Sequence, residues 1–223
     1  MKYSARILLL LGLAVTPPVL AETPKTRDCK PAMDAPLVWK PTEEIAPPDD
    51  VILTPGVDPS AGARVRMAVR PLTDARENPK RIGEHPGLGA GERCIFPVIT
   101  RDDPAAWATD RIRILLAKLG FTIVESDGDV IISGELQQFF VREDSTYDGK
   151  IGLKLDVVSK SGKPLWTGLV RGSNGHWGRT FKLANHQETL SDAMIDAVKH
   201  LVADPSFTGV LSSGKTEAAA KVE

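Results

Sequence analysis

Between Val130 and Gly172 the sequence alternates apolar and polar residues with period two in consecutive stretches, and that pattern commits the middle of the chain to strands lying side by side. Val130, Ile132, Gly134, Leu136, Gln138 and Phe140 predict one face of a long strand that runs to Arg142. After a polar turn over residues 143–148, Ile151, Leu153, Leu155 and Val157 alternate with Gly152, Lys154 and Asp156. Ser159-Lys160-Ser161-Gly162-Lys163 then closes a hairpin into residues 164–172. Turns this short predict antiparallel neighbours.

The flanking segments supply the second layer. Residues 64–70 alternate as a half-buried strand that stops at Pro71, and a long Gly- and Pro-dotted excursion follows from Leu72 to Asp103. Asp103 before Pro104 reads as an N-cap, and Ala108, Ile112, Leu115, Leu116 and Leu119 repeat at helical spacing until Gly120. A short strand is predicted over residues 121–124. Asn185 with Glu188 has the form of a capping box, and Leu190, Ala193, Met194, Ala197, Val198 and Leu201 line one side of a second helix. The order β-α-β-β-β-β-α predicts an α+β two-layer sandwich, a mostly antiparallel sheet of about five strands with two helices on one face.

The termini read differently. Lys2 and Arg6 precede the apolar run Ile7–Val15, and Pro17-Pro18 leads into Val19-Leu20-Ala21, the three regions of a secretory signal peptide with cleavage expected after Ala21. A retained anchor is the alternative, although the run is about half of the roughly 20 residues that span a bilayer. Residues 22–62 are Pro-rich without either period and read as an arm or linker, in which Leu37-Val38-Trp39 is a patch able to dock. The domain is expected over 63–207, and 208–223 as a disordered tail. Export would put the two cysteines, Cys29 and Cys94, in an oxidising compartment, where they are either a disulfide or two unrelated thiols. Thr26-Arg27-Asp28 ahead of Cys29 is not a lipid-attachment context.

Charge and motifs exclude more than they assign. Lys plus Arg total 28 against 29 Asp plus Glu, so no global positive field recruits nucleic acid. Residues 209–216 spell GVLSSGKT, a literal phosphate-loop string, but a helix precedes it and no strand does. Gly87-Leu88-Gly89-Ala90-Gly91 likewise opens no helix after a strand and reads as a turned loop. His85, His176, His186 and His200 are dispersed and read as surface residues, with no metal-ligand spacing. Ser173 near His176 lies in a glycine-rich strand end rather than a nucleophile elbow. No cofactor, metal or catalytic residue is expected.

Val69-Arg70-Pro71-Leu72-Thr73-Asp74-Ala75-Arg76 with Arg81-Ile82-Gly83, then residues 130–136 (VIISGEL), 165–168 (LWTG) and 185–193 (NHQETLSDA), resemble in the same order the YajG-like family of bacterial envelope lipoproteins. The resemblance spans about residues 64 to 207. It implies an envelope protein without known enzymatic activity and with no cofactor. The missing lipid-modified cysteine departs from that family and favours a soluble periplasmic form, with outer-membrane association left open.

The expected function is therefore a non-catalytic accessory, binding or scaffold protein of the periplasm, whose partner is another envelope protein or component. Thr73, Asp74, Arg76 and Arg81 are the expected binding residues, because arginine forks suit a carboxylate or phosphate. The competing reading has Asp74 and the arginines pairing to hold their own loop. Trp166 and Trp177 are either recognition aromatics or core. The alternative class is an envelope hydrolase acting on cell-wall material, which requires a general base in a pocket.

Overall fold

A computed structural model describes residues 27–45, 65–86, 94–178 and 181–211. Residues 1–21, expected as a leader, Gly87–Gly91 and the stretch beyond residue 211 lie outside the described residues. The sheet is built from β1 (Arg27–Asp28), β2 (Met33–Asp34), β3 (Arg66–Val69), β4 (Thr73–Asp74), β5 (Arg81–Pro86), β6 (Cys94–Ile99), β7 (Thr122–Val124), β8 (Val130–Glu143), β9 (Thr146–Ser159) and β10 (Pro164–Trp177). Helix α1 spans Pro104–Lys118 and α2 spans Leu183–Ala203. A third short helix, α3, covers residues 205–211 and buries Phe207 and Leu211. The start of the GVLSSGKT string is thus helical, with no strand ahead of it. None of the described helices is long and apolar enough to cross a membrane.

The class is α+β, but the sheet is ten-stranded and mixed rather than mostly antiparallel with five strands. β8, β9 and β10 form the antiparallel meander that alternation predicts. On the other side of β8, the short strands β3, β4 and β5 follow one another, all parallel to it. β6, antiparallel to β5, turns the chain back before α1, and α1 then returns it as β7, antiparallel to β6 and parallel to β3. The excursion from Leu72 is no open loop: it contributes β4 and the antiparallel pair β5–β6. Strands of two to six residues broken by Pro and Gly carry too little period to be seen in sequence.

α1 and α2 touch each other and share one buried cluster with the sheet. Asp103 caps α1 as expected, accepting from the Ala105 and Ala106 amides at 2.9 and 3.0 Å. Val130, Ile132 and Leu136 face the core on β8, but an irregularity between Leu136 and Gln138 shifts the phase. Phe139 and Val141 are therefore buried while Gln138 is exposed, which reverses the faces expected for Gln138 and Phe140. α2 starts at Leu183, two residues before Asn185, and its N-cap residue Lys182 provides no side-chain cap. Glu188 pairs with Lys40 at 2.7 Å instead of closing a capping box. The Lys182 amide donates to the Tyr147 hydroxyl at 2.7 Å, which ties the helix start to β9.

Residues 27–45 strap the domain. β1 and β2 both add to β6 in parallel, and Cys29 and Cys94 are disulfide-bonded with their Cα atoms 5.4 Å apart. Ala35 and Ile45 are buried, Trp39 tilts against Trp107 at 5.8 Å, and Thr42 donates to Asp192 at 2.6 Å. Within the docking patch, Leu37 and Trp39 pack on the core while Val38 is exposed. Trp166 packs edge-on against Phe207, whereas Trp177 is 73% exposed. On β10, the outermost strand of the meander, α2 reaches over the edge: Asp196 accepts the Ser173 amide at 2.9 Å and His200 Nδ1 lies 2.9 Å from the Arg171 carbonyl.

Candidate functional site

The four residues singled out for binding run from β4 (Thr73, Asp74) through the connecting loop (Arg76) to the first residue of β5 (Arg81). Arg76 is nearly buried, and all five of its N–H donors are engaged. Nε and Nη2 hold the two oxygens of Asp74 at 2.9 and 2.6 Å. Nη1 donates to the carbonyls of Arg81 and Phe139, both at 3.2 Å, and Nη2 also donates to the Pro79 carbonyl. The guanidinium further lies over the Phe139 ring, 5.6 Å from its centroid. Arg76 and Asp74 thus hold their own loop. Arg81 keeps 26% of its side chain exposed and contacts Asp28 and Glu84 at 3.3 and 3.4 Å. Thr73 is exposed and donates to the Gly134 carbonyl at 3.4 Å.

The next residues of β5 lead into a constellation that no motif announced. Phe96, His85, Phe181 and His186 form a column of rings, with successive centroids 6.3, 5.9 and 6.5 Å apart. β6, β5, the segment before α2 and the first turn of α2 each contribute one ring. His85 Nδ1 stands 2.9 Å from Oε2 of Glu143, a carboxylate at the end of β8 that is 3% exposed. Tyr147, fully buried at the start of β9, lies within hydrogen-bonding reach of the same carboxylate. The expectation of surface histidines fails for these two: His186 is 2% exposed, and the His85 side chain is 12% exposed. His200 is exposed as expected.

Burial dominates the electrostatics of the column. It drives the His186 imidazole down to about 4, against a hydrogen bond to the Ile82 backbone that favours the charged ring. Burial also pushes the Tyr147 phenol up to about 12, with the Glu143 carboxylate adding to the rise and the Lys182 amide opposing it. At neutral pH His186 is therefore an uncharged packing ring, and Tyr147 keeps its proton. Chemically, His85 and Glu143 are a close acid–base pair, but Phe96 and Phe181 flank the imidazole. Among the described residues, no three His, Cys, Asp or Glu side chains converge as metal ligands. Sequence reading missed the column because its members come from four separate segments; the only signal was that His186 falls on the apolar side of α2 one turn before Leu190.

No family model matches the sequence, and no curated protein matches it. Among solved structures, a Xanthomonas campestris protein of the DUF330 family matches with a TM-score of 0.54 at 12% identity, over 81% of this chain and 99% of that one. The chain shares that fold. PelC from Paraburkholderia phytofirmans, a dodecamer, matches at 12% identity and a TM-score of 0.36, over 62% of this chain and 88% of its own. A candidate lipoprotein from Caulobacter crescentus matches at 10% identity and a TM-score of 0.40, over 48% of this chain and 83% of its own. At 12% identity the Xanthomonas campestris likeness speaks to the fold alone.

Proposed function

We propose that this chain is an exported, non-catalytic accessory or scaffold protein of the bacterial cell envelope, of the YajG-like kind. The Cys29–Cys94 disulfide carries the reading. A bond of this type persists in an oxidising compartment, and here it fastens a Pro-rich arm that would follow a cleaved leader. The DUF330 likeness supports the fold on which the reading rests. Partner contact falls to exposed Thr73 on β4 and half-buried Arg81 on β5, while Asp74 and Arg76 keep the loop between those strands in shape.

Expression of the full chain in a Gram-negative host, followed by fractionation and intact-mass measurement with and without reductant, tests the reading. A periplasmic product beginning at Glu22, heavier by a hydrogen pair after reduction, is expected. A cytoplasmic product with free thiols would overturn it. The close His85–Glu143 pair favours one second reading, the cell-wall hydrolase. Release of soluble fragments from cell-wall material by the mature chain, abolished by His85→Gln, would replace the scaffold with the enzyme.

A further inference from the structure

The ring column ends where α2 begins, and that junction is poorly prepared for a positive charge. His186 sits in the first turn, near the positive end of the helix dipole, and that turn contains no acidic residue. Its Nε2 lies against the β5 backbone, so close that a Cβ built on Gly83 would fall 2.7 Å from it. The groups on the surrounding elements that could compensate a charge are already committed. On β5, Glu84 faces Arg81 and Arg142, and His85 faces Glu143 of β8. On β9, Asp148 faces Lys150, and the Tyr147 hydroxyl accepts the amide of Lys182. On α2 itself, Glu188 faces Lys40 of the arm, and Lys182 is a further cation.

We propose that the start of α2 is an acid-released latch: protonation of His186 frees Phe181 and the first helical turn from β5 and β9, uncovering the His85–Glu143 pair, while the β8–β9–β10 meander stays folded. Two features make the release local. The Lys182 amide-to-Tyr147 hydroxyl bond fastens the helix start to β9, with no side-chain cap to hold the turn once it is broken. Farther along α2, Leu190, Ala193, Met194 and Ala197 are buried in the shared core and anchor the remainder. A ring that titrates near 4 when packed and near about 6.5 when released makes the opening more favourable by roughly 100-fold between about pH 7 and pH 4.

Hydrogen exchange of the mature full-length protein, corrected for the intrinsic pH dependence of amide exchange, reads this out. Protection of the amides of residues 186–189 should fall by roughly 100-fold on going from about pH 7 to pH 4, while that of residues 151–157 stays high. His186→Gln should keep the helix start protected at both values. Protection that does not change with pH, that is lost together with the meander, or that falls equally in His186→Gln would overturn the latch. Should that variant fail to fold, the His186 ring signal in the unaltered protein decides by NMR. A midpoint near 4, with residues 181–186 shifting alongside, supports the latch, and a midpoint near about 6.5 overturns it.

Discussion

Arg76 grips both oxygens of Asp74 through Nε and Nη2 while its remaining donors hold three backbone carbonyls. Removing one member of such a nearly buried pair strands the other, so Arg76→Ala should destabilise the fold by about 3 kcal/mol or more in urea unfolding. Arg76→Lys should recover little of that loss, because an ammonium cannot reproduce five donors in a plane. Arg81→Ala, at a partly exposed pair, should cost under about 1 kcal/mol. Equal losses at the two positions would show that the loop does not depend on Arg76.

The disulfide joins residues 65 apart in sequence. In the chain-entropy picture a closed loop of that length contributes about 4 kcal/mol by restricting the unfolded chain. Cys29→Ser with Cys94→Ser should lower stability by roughly that amount, and the oxidised and reduced wild-type proteins should differ by the same margin in denaturant titrations. A difference below about 1 kcal/mol would mean that the contacts of Ala35, Trp39 and Ile45 suffice to seat the arm.

Gly172 on β10 lies under α2, where an added Cβ would fall 2.1 Å from the Ala193 carbonyl and 2.4 Å from the Ala197 amide. Backbone cannot yield as a flexible side chain does, so Gly172→Ala should push the helix off the sheet and cost more than about 2 kcal/mol. Gly175, three residues on, has nothing within 4 Å of the same position. Gly175→Ala should stay within about 0.5 kcal/mol by thermal unfolding.

Stability should fall at both ends of the pH scale, for opposite reasons. His186 binds its proton less readily when folded, at about 4. The stability it confers is complete above the unfolded value of about 6.5, declines as pH falls, and levels off below 4 after a loss of about 3 kcal/mol. Tyr147 binds its proton more tightly when folded, at about 12, so its contribution is complete below about 10 and is lost as pH rises through 12. In denaturant midpoints taken across pH, His186→Gln should flatten the acid limb alone and Tyr147→Phe the alkaline limb alone.

Long elements with strong period were legible in the sequence. Asp103-Pro104 and the apolar stripe of α1 appear in the structure as read, as do the order and pairing of β8, β9 and β10. Parallel pairing was not, because β3, β4 and β5 meet β8 through contacts distant in sequence that local period does not encode. The phase change after Leu136 was hidden for a similar reason: an extra residue in one strand shows only against its partner. In the candidate site, Asp74 and Arg76 were recognised as residues with a role. Whether they point outward or at each other depends on the Phe139 and Arg81 carbonyls that surround them. His85 and His186 looked unremarkable because a buried histidine is defined by what packs on it.

Asp196 and His200 engage the Ser173 amide and the Arg171 carbonyl, midway along β10. An exposed strand of this length would otherwise be an open template for copies of the chain to stack into fibrils. With those two groups occupied, an incoming strand finds no continuous ladder, only short stretches on either side of the plug. Resistance to self-assembly here thus comes from a helix whose main task is filling the interior, and a mutation at Asp196 would surface first as clumping at high concentration rather than as unfolding.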